Sequence, residues 1–342
     1  AMQEEVRGVN VKKGAPGDIA FDKRWEAAHP GRHDRQESIE VVLKRWSRFI
    51  SDESIESALA FVPMEDDVFI ATHSKAGTTM MQQIVHQLRS NGDTDFREIS
   101  LVVPWVEIAH DLNIDLNAPQ KYSPRAFKTH FDWPSVPKSY DEKGELVAKY
   151  ICIVRNPLSV FVSFYHFLLD WFYTAEEFHI CDMVETLLYK RSVPIWSHYF
   201  EWYQAALKHP SRILFLFFED VVGKREQTVK KVAQFIGVDE ASAEERVQVA
   251  VEHSSFDWMK TNDNLFDESP SKEARNKIFG AVGNKSSKVR TGKTSVESLD
   301  PLLKEEIETT LAANFHKLFG VSTYEEIRAL VAQSDIQSLD SQ

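Results

Sequence analysis

Between Asp67 and Gln83 the chain passes from an apolar run, Val68 to Ala71, through a polar turn holding Lys75 and Gly77, into a helix opening at Thr78 and Thr79. A strand–turn–helix of this kind aims several backbone N–H groups and the positive end of a helix at one spot, which suits a phosphate or sulfate. Gly77 allows close backbone approach, Lys75 adds a point charge, and the two threonines add hydroxyl donors. A nucleotide-hydrolysing P-loop needs G-x-x-x-x-G-K-[ST], with its lysine directly after the second glycine. Here Lys75 precedes Gly77 by two residues and Thr72 stands where the first glycine belongs, so that order is not met.

Four short apolar runs have strand character, over residues 68–72, 126–129, 150–154 and 213–218. Helical spacing predicts helices over 78–89, 159–171, 195–208, 225–236, 243–252 and 301–318. Gly237 sits where a helix ends, and Asp300-Pro301 reads as an N-cap and first-turn pair. Strands alternating with helices predict an α/β fold, a single domain with a central, mostly parallel β-sheet flanked by helices. Ligands of such sheets gather beyond the carboxyl ends of the strands. Three of the four strands run out into cations or imidazole: Lys75, then Lys128 and His130, then Arg155. Residues 1–35 read as a flexible leader, 40–333 as the catalytic domain, 334–342 as a C-terminal tail, and 268–297 as a long mobile segment rich in Ser, Lys, Gly and Asn.

The 342 residues suffice for a substantial core, and 43% apolar content marks a globular chain. A net charge of −12 (40 basic against 52 acidic) argues against general nucleic-acid or anionic-membrane binding, although basic residues can still converge locally. Two cysteines, Cys152 and Cys181, give no disulfide framework and point to a reducing compartment. No apolar signal segment is visible at the start, and the apolar stretch 150–173 is broken by Arg155, Asn156, Pro157 and Asp170. A cytoplasmic protein is expected.

In this order the motifs resemble those of the cytosolic-type sulfotransferases that use 3′-phosphoadenosine 5′-phosphosulfate (PAPS). Thr72-His73-Ser74-Lys75-Ala76-Gly77-Thr78-Thr79-Met80 is similar to that family's Y-P-K-S-G-T-T-W, and Lys128-Thr129-His130 to its K-T-H. Arg155-Asn156-Pro157, continuing through Ser163 to Phe167, resembles R-N-P-x-[DN]-x-x-V-S-x-Y-H-F. Phe218-Glu219-Asp220 resembles Y-E-D, the stretch 255–262 resembles S-F-x-x-M-K-x-N, and Pro104-Trp105-Val106-Glu107 resembles P-[FW]-L-E. The likeness runs from about residue 60 to 292 and implies a P-loop-NTPase-like sulfotransferase fold.

It further implies roles at matching positions. Lys75, Ala76, Gly77, Thr78 and Thr79 would hold the 5′-phosphosulfate, and Arg155 and Ser163 the 3′-phosphate. Arg290, Thr291 and Gly292, within the basic run 285–293, would close over that phosphate, while Met80, Phe218, Ser254 and Phe256 complete the nucleotide site. His130 would act as general base, with Lys75 and Lys128 stabilising the developing charge and no metal required. Met80 replaces the family's stacking tryptophan, Phe218 its tyrosine, Ala76 a serine and Thr291 a lysine, and the usual G-D-W is missing. Weaker nucleotide binding is therefore expected. The acceptor, a small molecule sulfated on a hydroxyl or amine, is expected against Trp105, Glu107, Phe131, Asp132, Trp133 and Tyr165, alongside Phe164, Phe172 and Tyr173. Asp132, Glu107 and Asp170 together would favour a polar or cationic acceptor. The family's dimerisation stretch is faintly echoed over 293–297, leaving monomer and homodimer open. Alternatives are a P-loop-like nucleotide-dependent kinase, or a non-catalytic phosphonucleotide-binding protein that has no need of a base.

Overall fold

The computed structural model describes residues 24, 27–28, 35–65, 67–190, 193–283, 286–292 and 296–339. Most of the leader expected over 1–35 lies outside the described residues, as do Lys285 and Lys293 of the basic run, 293–295 of the dimerisation stretch and the last three residues of the tail. In chain order the longer elements are α1 (Arg35–Phe49), α2 (Asp52–Ala60), β1 (Asp67–Thr72), α3 (Thr78–Ser90), β2 (Arg125–Thr129), β3 (Lys149–Val154) and α4 (Pro157–Leu168). There follow α5 (Ile195–Lys208), β4 (Ile213–Phe217), α6 (Arg225–Ile236), α7 (Glu240–His253), α8 (Ser269–Phe279), α9 (Pro301–Phe319) and α10 (Tyr324–Ala332).

The sheet is parallel throughout, in the order β2-β1-β3-β4. Alternate residues of each strand feed two cores. Phe69, Phe127, Tyr150, Cys152 and Phe215 face one that also takes apolar residues of α1, α4, α5 and α9. Val68, Ile70, Ala126, Ile151 and Leu214 face the other, against α3, α6 and α7. Burial on both faces explains why the strands read as continuous apolar runs. At the amino ends, the Arg125 guanidinium grips Asp67 with Nε at 2.7 Å and Nη2 at 2.8 Å from its two oxygens. A planar fork on a buried carboxylate fixes the register of β1 against β2.

Two segments differ from expectation. Residues 268–297, read as a mobile segment, contain α8 and bury Glu268 and Phe279. Their polar composition conceals an ion pair between Glu268 and Lys288, whose mutual neutralisation permits burial. Residues 334–339, read as tail, run beside β4, where the Phe215 N–H donates to the Gln337 carbonyl at 2.9 Å and Ile336 is buried. Among the described residues no helix is long and apolar enough to cross a membrane.

Candidate active site

β1 has β2 on one side and β3 on the other, so the connections leaving its carboxyl end diverge and open a crevice. A cavity of about 460 Å³ lies there. Among the described residues, Lys75, Lys128, Arg155, Arg225, Lys288 and Arg290 line it against two acids, Glu107 and Glu268.

The turn from β1 to α3 builds the first wall. Lys75 and Gly77 both adopt left-handed backbone, with φ 69° and 107°. This wraps the chain so that α3 starts at Thr78 with no side chain capping its first turn. The N–H groups of that turn have no intrahelical partners and carry the positive end of the helix dipole. A β-carbon on Gly77 would lie 2.6 Å from Cδ2 of Phe218, so the ring fills the space that only glycine leaves open. Thr72 and Thr78 join through their hydroxyls at 2.6 Å. The Lys75 ammonium, on a half-buried side chain, lies over the Phe167 ring, 3.9 Å from its centre. Burial first, then Lys288, Arg155 and Lys128, pull its pKa down to about 7.

β2 delivers Lys128 and His130. Lys128 is buried, with Nζ 4.2 Å from the centre of the Trp105 ring and 3.7 Å from Glu268 Oε2; burial lowers its pKa, which Glu268 opposes. His130 Nδ1 lies 2.9 Å from the Thr72 carbonyl, which can only accept, so Nδ1 carries the proton and Nε2 the lone pair in the neutral ring. The His130 backbone N–H donates to Glu107 Oε1 at 2.5 Å. Glu107 Oε2 is buried without a hydrogen-bond partner, and burial pushes the carboxyl pKa up to about 7.

β3 leads directly into Arg155, whose Nη1 donates to the Lys75 carbonyl at 2.9 Å and whose Nε is buried without a partner. Its guanidinium lies 4.2 Å from the centre of the Phe218 ring. Ser163 on α4 faces the same cavity. The late loop closes the far side. Lys260 donates to the Val289 carbonyl at 2.7 Å, and Gly292, φ 66°, lies under the Phe256 ring, 3.0 Å from where its β-carbon would stand.

Of the residues singled out from the sequence, Lys75, Gly77, Thr78, Thr79, Met80, Lys128, His130, Arg155, Ser163, Phe218, Ser254, Phe256, Arg290, Thr291 and Gly292 meet at this cavity, with Trp105, Glu107, Phe131, Phe164 and Phe172. Ala76 does not line it; the residue is fully buried and its N–H donates to the His73 carbonyl at 3.1 Å. Three acceptor-side expectations also fall elsewhere. Asp132 turns away, its Oδ1 accepting the Ser135 N–H at 3.1 Å. Trp133 packs on Trp202 and Tyr150, at 5.2 and 5.8 Å between centres. Tyr165 leaves α4 toward Tyr173 and the Phe178 carbonyl. Asp170 is exposed and Tyr173 buried off the cavity, so the acidic trio reduces to Glu107.

Sequence reasoning missed Trp46 and Phe49 of α1 and Ile50 just after it, Phe167 and Trp171, and the pair Glu268 and Lys288. Apolar residues 39, 42, 43, 46, 49 and 50 recur at helical spacing, a signal that was present to be read.

The fold and the cation-rich cavity define a class of α/β protein that takes a polyanionic ligand at the carboxyl edge of a parallel sheet. A family model described as the sulfotransferase domain matches residues 65–326, and the chain belongs to the sulfotransferase family. Human Sulfotransferase 1C2 is 31% identical over 220 residues, which cover 59% of this chain and 69% of that protein. The fold is shared with a retinol dehydratase solved with androsterone and inactive cofactor PAP, at TM-score 0.59 and 20% identity over 78% of this chain and 86% of that one. A mouse sulfotransferase complexed with PAP gives TM-score 0.55 and 21% identity, covering 82% and 93%.

Proposed function

We propose that the protein transfers the sulfuryl group of PAPS to a hydroxyl or amine of a small-molecule acceptor, with His130 as general base. The observation that carries this is the meeting of Lys75, Lys128, His130, Arg155 and Arg290 in one cavity at the carboxyl edge of the sheet. The residues suit the nucleotide: a buried Arg155 Nε lacks a partner, and the first turn of α3 has no side-chain cap. The first-turn N–H groups and Lys75 would hold the 5′-phosphosulfate; Arg155, Ser163 and Arg290 would hold the 3′-phosphate; Met80, Phe218 and Phe256 would border the base. The donor supplies the activated sulfuryl group. His130 Nε2 takes the acceptor proton as the acceptor–sulfur bond forms and the sulfur–oxygen bond to the nucleotide phosphate breaks. Lys75 and Lys128 hold charge growing on the departing and sulfuryl oxygens.

On the acceptor side, Trp46, Phe49, Phe131, Phe164 and Phe172 form an apolar wall. It suits a flat apolar body, with Glu107 Oε2 placed to take an N–H or O–H near the reacting end. Calorimetry with adenosine 3′,5′-bisphosphate (PAP) against ADP and ATP, with and without magnesium, tests the donor assignment. Magnesium-independent preference for PAP is expected, and preference for ATP with magnesium would replace it with a phosphotransferase. His130→Ala should then abolish turnover of any acceptor found while sparing PAP binding, and near-full turnover would remove the base assignment.

A further inference from the structure

Four charged side chains from four segments meet beside the cavity: Glu98 before the short helix Ile99–Val102, Lys128 on β2, Glu268 before α8 and Lys288 in the late loop. Their side chains are at most 4% exposed. Lys288 Nζ stands 2.9 Å from Glu98 Oε1 and in contact with Glu268 Oε2, which also faces Lys128 Nζ at 3.7 Å. The remaining oxygens are engaged as well: the Ser271 hydroxyl donates to Glu268 Oε1 at 3.0 Å, and the Ser100 N–H to Glu98 Oε2 at 2.7 Å. Glu268 holds this place with left-handed backbone, φ 62°, which a non-glycine residue keeps only when its surroundings fix it. Two carboxylates against two ammoniums make the group neutral, which lets it be buried.

We propose that Glu268 is a positioning residue of the donor site: it holds the Lys128 ammonium and, through Lys288, the loop carrying Arg290 against the cavity. The inference rests on the donor reading above. The catalytic lysine is thereby tied to the covering loop by one carboxylate. The groups facing Lys128 are Glu268 just before α8, Lys288 from the loop, Glu98 and Glu107, while Lys75 across the cavity feels both lysines. Glu268 raises the pKa of Lys75 and of Lys128, and Lys288 lowers both. Removing the carboxylate charge therefore leaves the cavity lysines less protonated before an anion binds. Removing the Lys288 charge leaves them more protonated.

The test is calorimetry of PAP near pH 7.5 in buffers of different ionisation enthalpy, which reads affinity and proton uptake together. Glu268→Gln should bind PAP about tenfold more weakly, the scale of one charge-assisted tie, and take up more protons than the wild type. Lys288→Gln should weaken binding similarly and take up fewer protons. Glu268→Asp, which keeps the charge, should stay near the wild type in uptake. A merely structural role would weaken both variants without opposite shifts in uptake. If Glu268→Gln does not fold, the sign of the Lys288→Gln shift decides alone. Unchanged uptake in the glutamine variants beside normal wild-type binding overturns the inference, whereas absence of wild-type PAP binding overturns the donor reading with it.

Discussion

The guanidinium of Arg155 lies across the face of Phe218, its central carbon 4.2 Å from the ring centre. The edge of the same ring fills the space beside Gly77, so one side chain braces both the arginine and the turn. A hydroxyl at this position is not needed for either contact. Phe218→Leu should weaken PAP binding about fivefold, the scale of a partly desolvated cation–π contact, whereas Phe218→Tyr should stay within about twofold. Equal affinity of the leucine variant in calorimetry would mean that the ring does not hold Arg155.

Gly77 combines φ 107° with a ring atom 2.6 Å from its missing β-carbon. Gly77→Ala meets backbone strain and displaces Phe218 at once, for a loss of about 1–3 kcal/mol in stability. Thermal unfolding should show a lowered Tm, and PAP binding should fall with it because Arg155 loses its brace. An unchanged Tm would contradict the geometry.

Lys75 has its pKa pulled down to about 7 by burial and the neighbouring cations. A bound polyanion favours the ammonium, so PAP binding near pH 8 should take up a proton at this site, approaching one per nucleotide. Calorimetry in buffers of different ionisation enthalpy reads the uptake directly. Lys75→Met should remove most of it, and an identical uptake in that variant would assign the proton elsewhere.

Glu107 is pushed up to about 7 from an ordinary value of 4.5. An acid whose folded pKa is the higher binds more protons when folded, so its contribution to stability falls as pH rises between those two values. Glu107→Gln should therefore gain stability over the wild type from about pH 5 to about pH 8, by up to roughly 3 kcal/mol for a shift of this size. Melting curves across that range check it; a constant difference between the two proteins would refute the assignment.

The strands were legible almost to the residue because burial on both faces leaves unbroken apolar runs, and α6 was read at 225–236, matching Arg225–Ile236. The turn was legible because its geometry requires a glycine at Gly77, and the polar residues around it break an apolar run just before a helix. The Glu268–Lys288 tie was not. A glutamate and a lysine twenty positions apart in a polar stretch look solvated, and only their meeting makes burial tolerable. Asp132 misled through its nearness to His130: β2 ends at Thr129, and past it the chain turns on the Asp132 carboxylate, so side-chain direction no longer follows the strand. Helix α1 was overlooked because Lys44, Arg45 and Arg48 interrupt a stripe that is apolar only on one face.

Trp46, Phe49 and Ile50 stand ahead of residue 65, where the match to the family begins. On the proposed assignment the acceptor wall is thus written in two places, with Trp46 and Phe49 ahead of the stretch that marks the family and Phe131, Phe164 and Phe172 within it. Substitutions on α1 can reshape one side of the cavity while the turn at Lys75 passes on untouched.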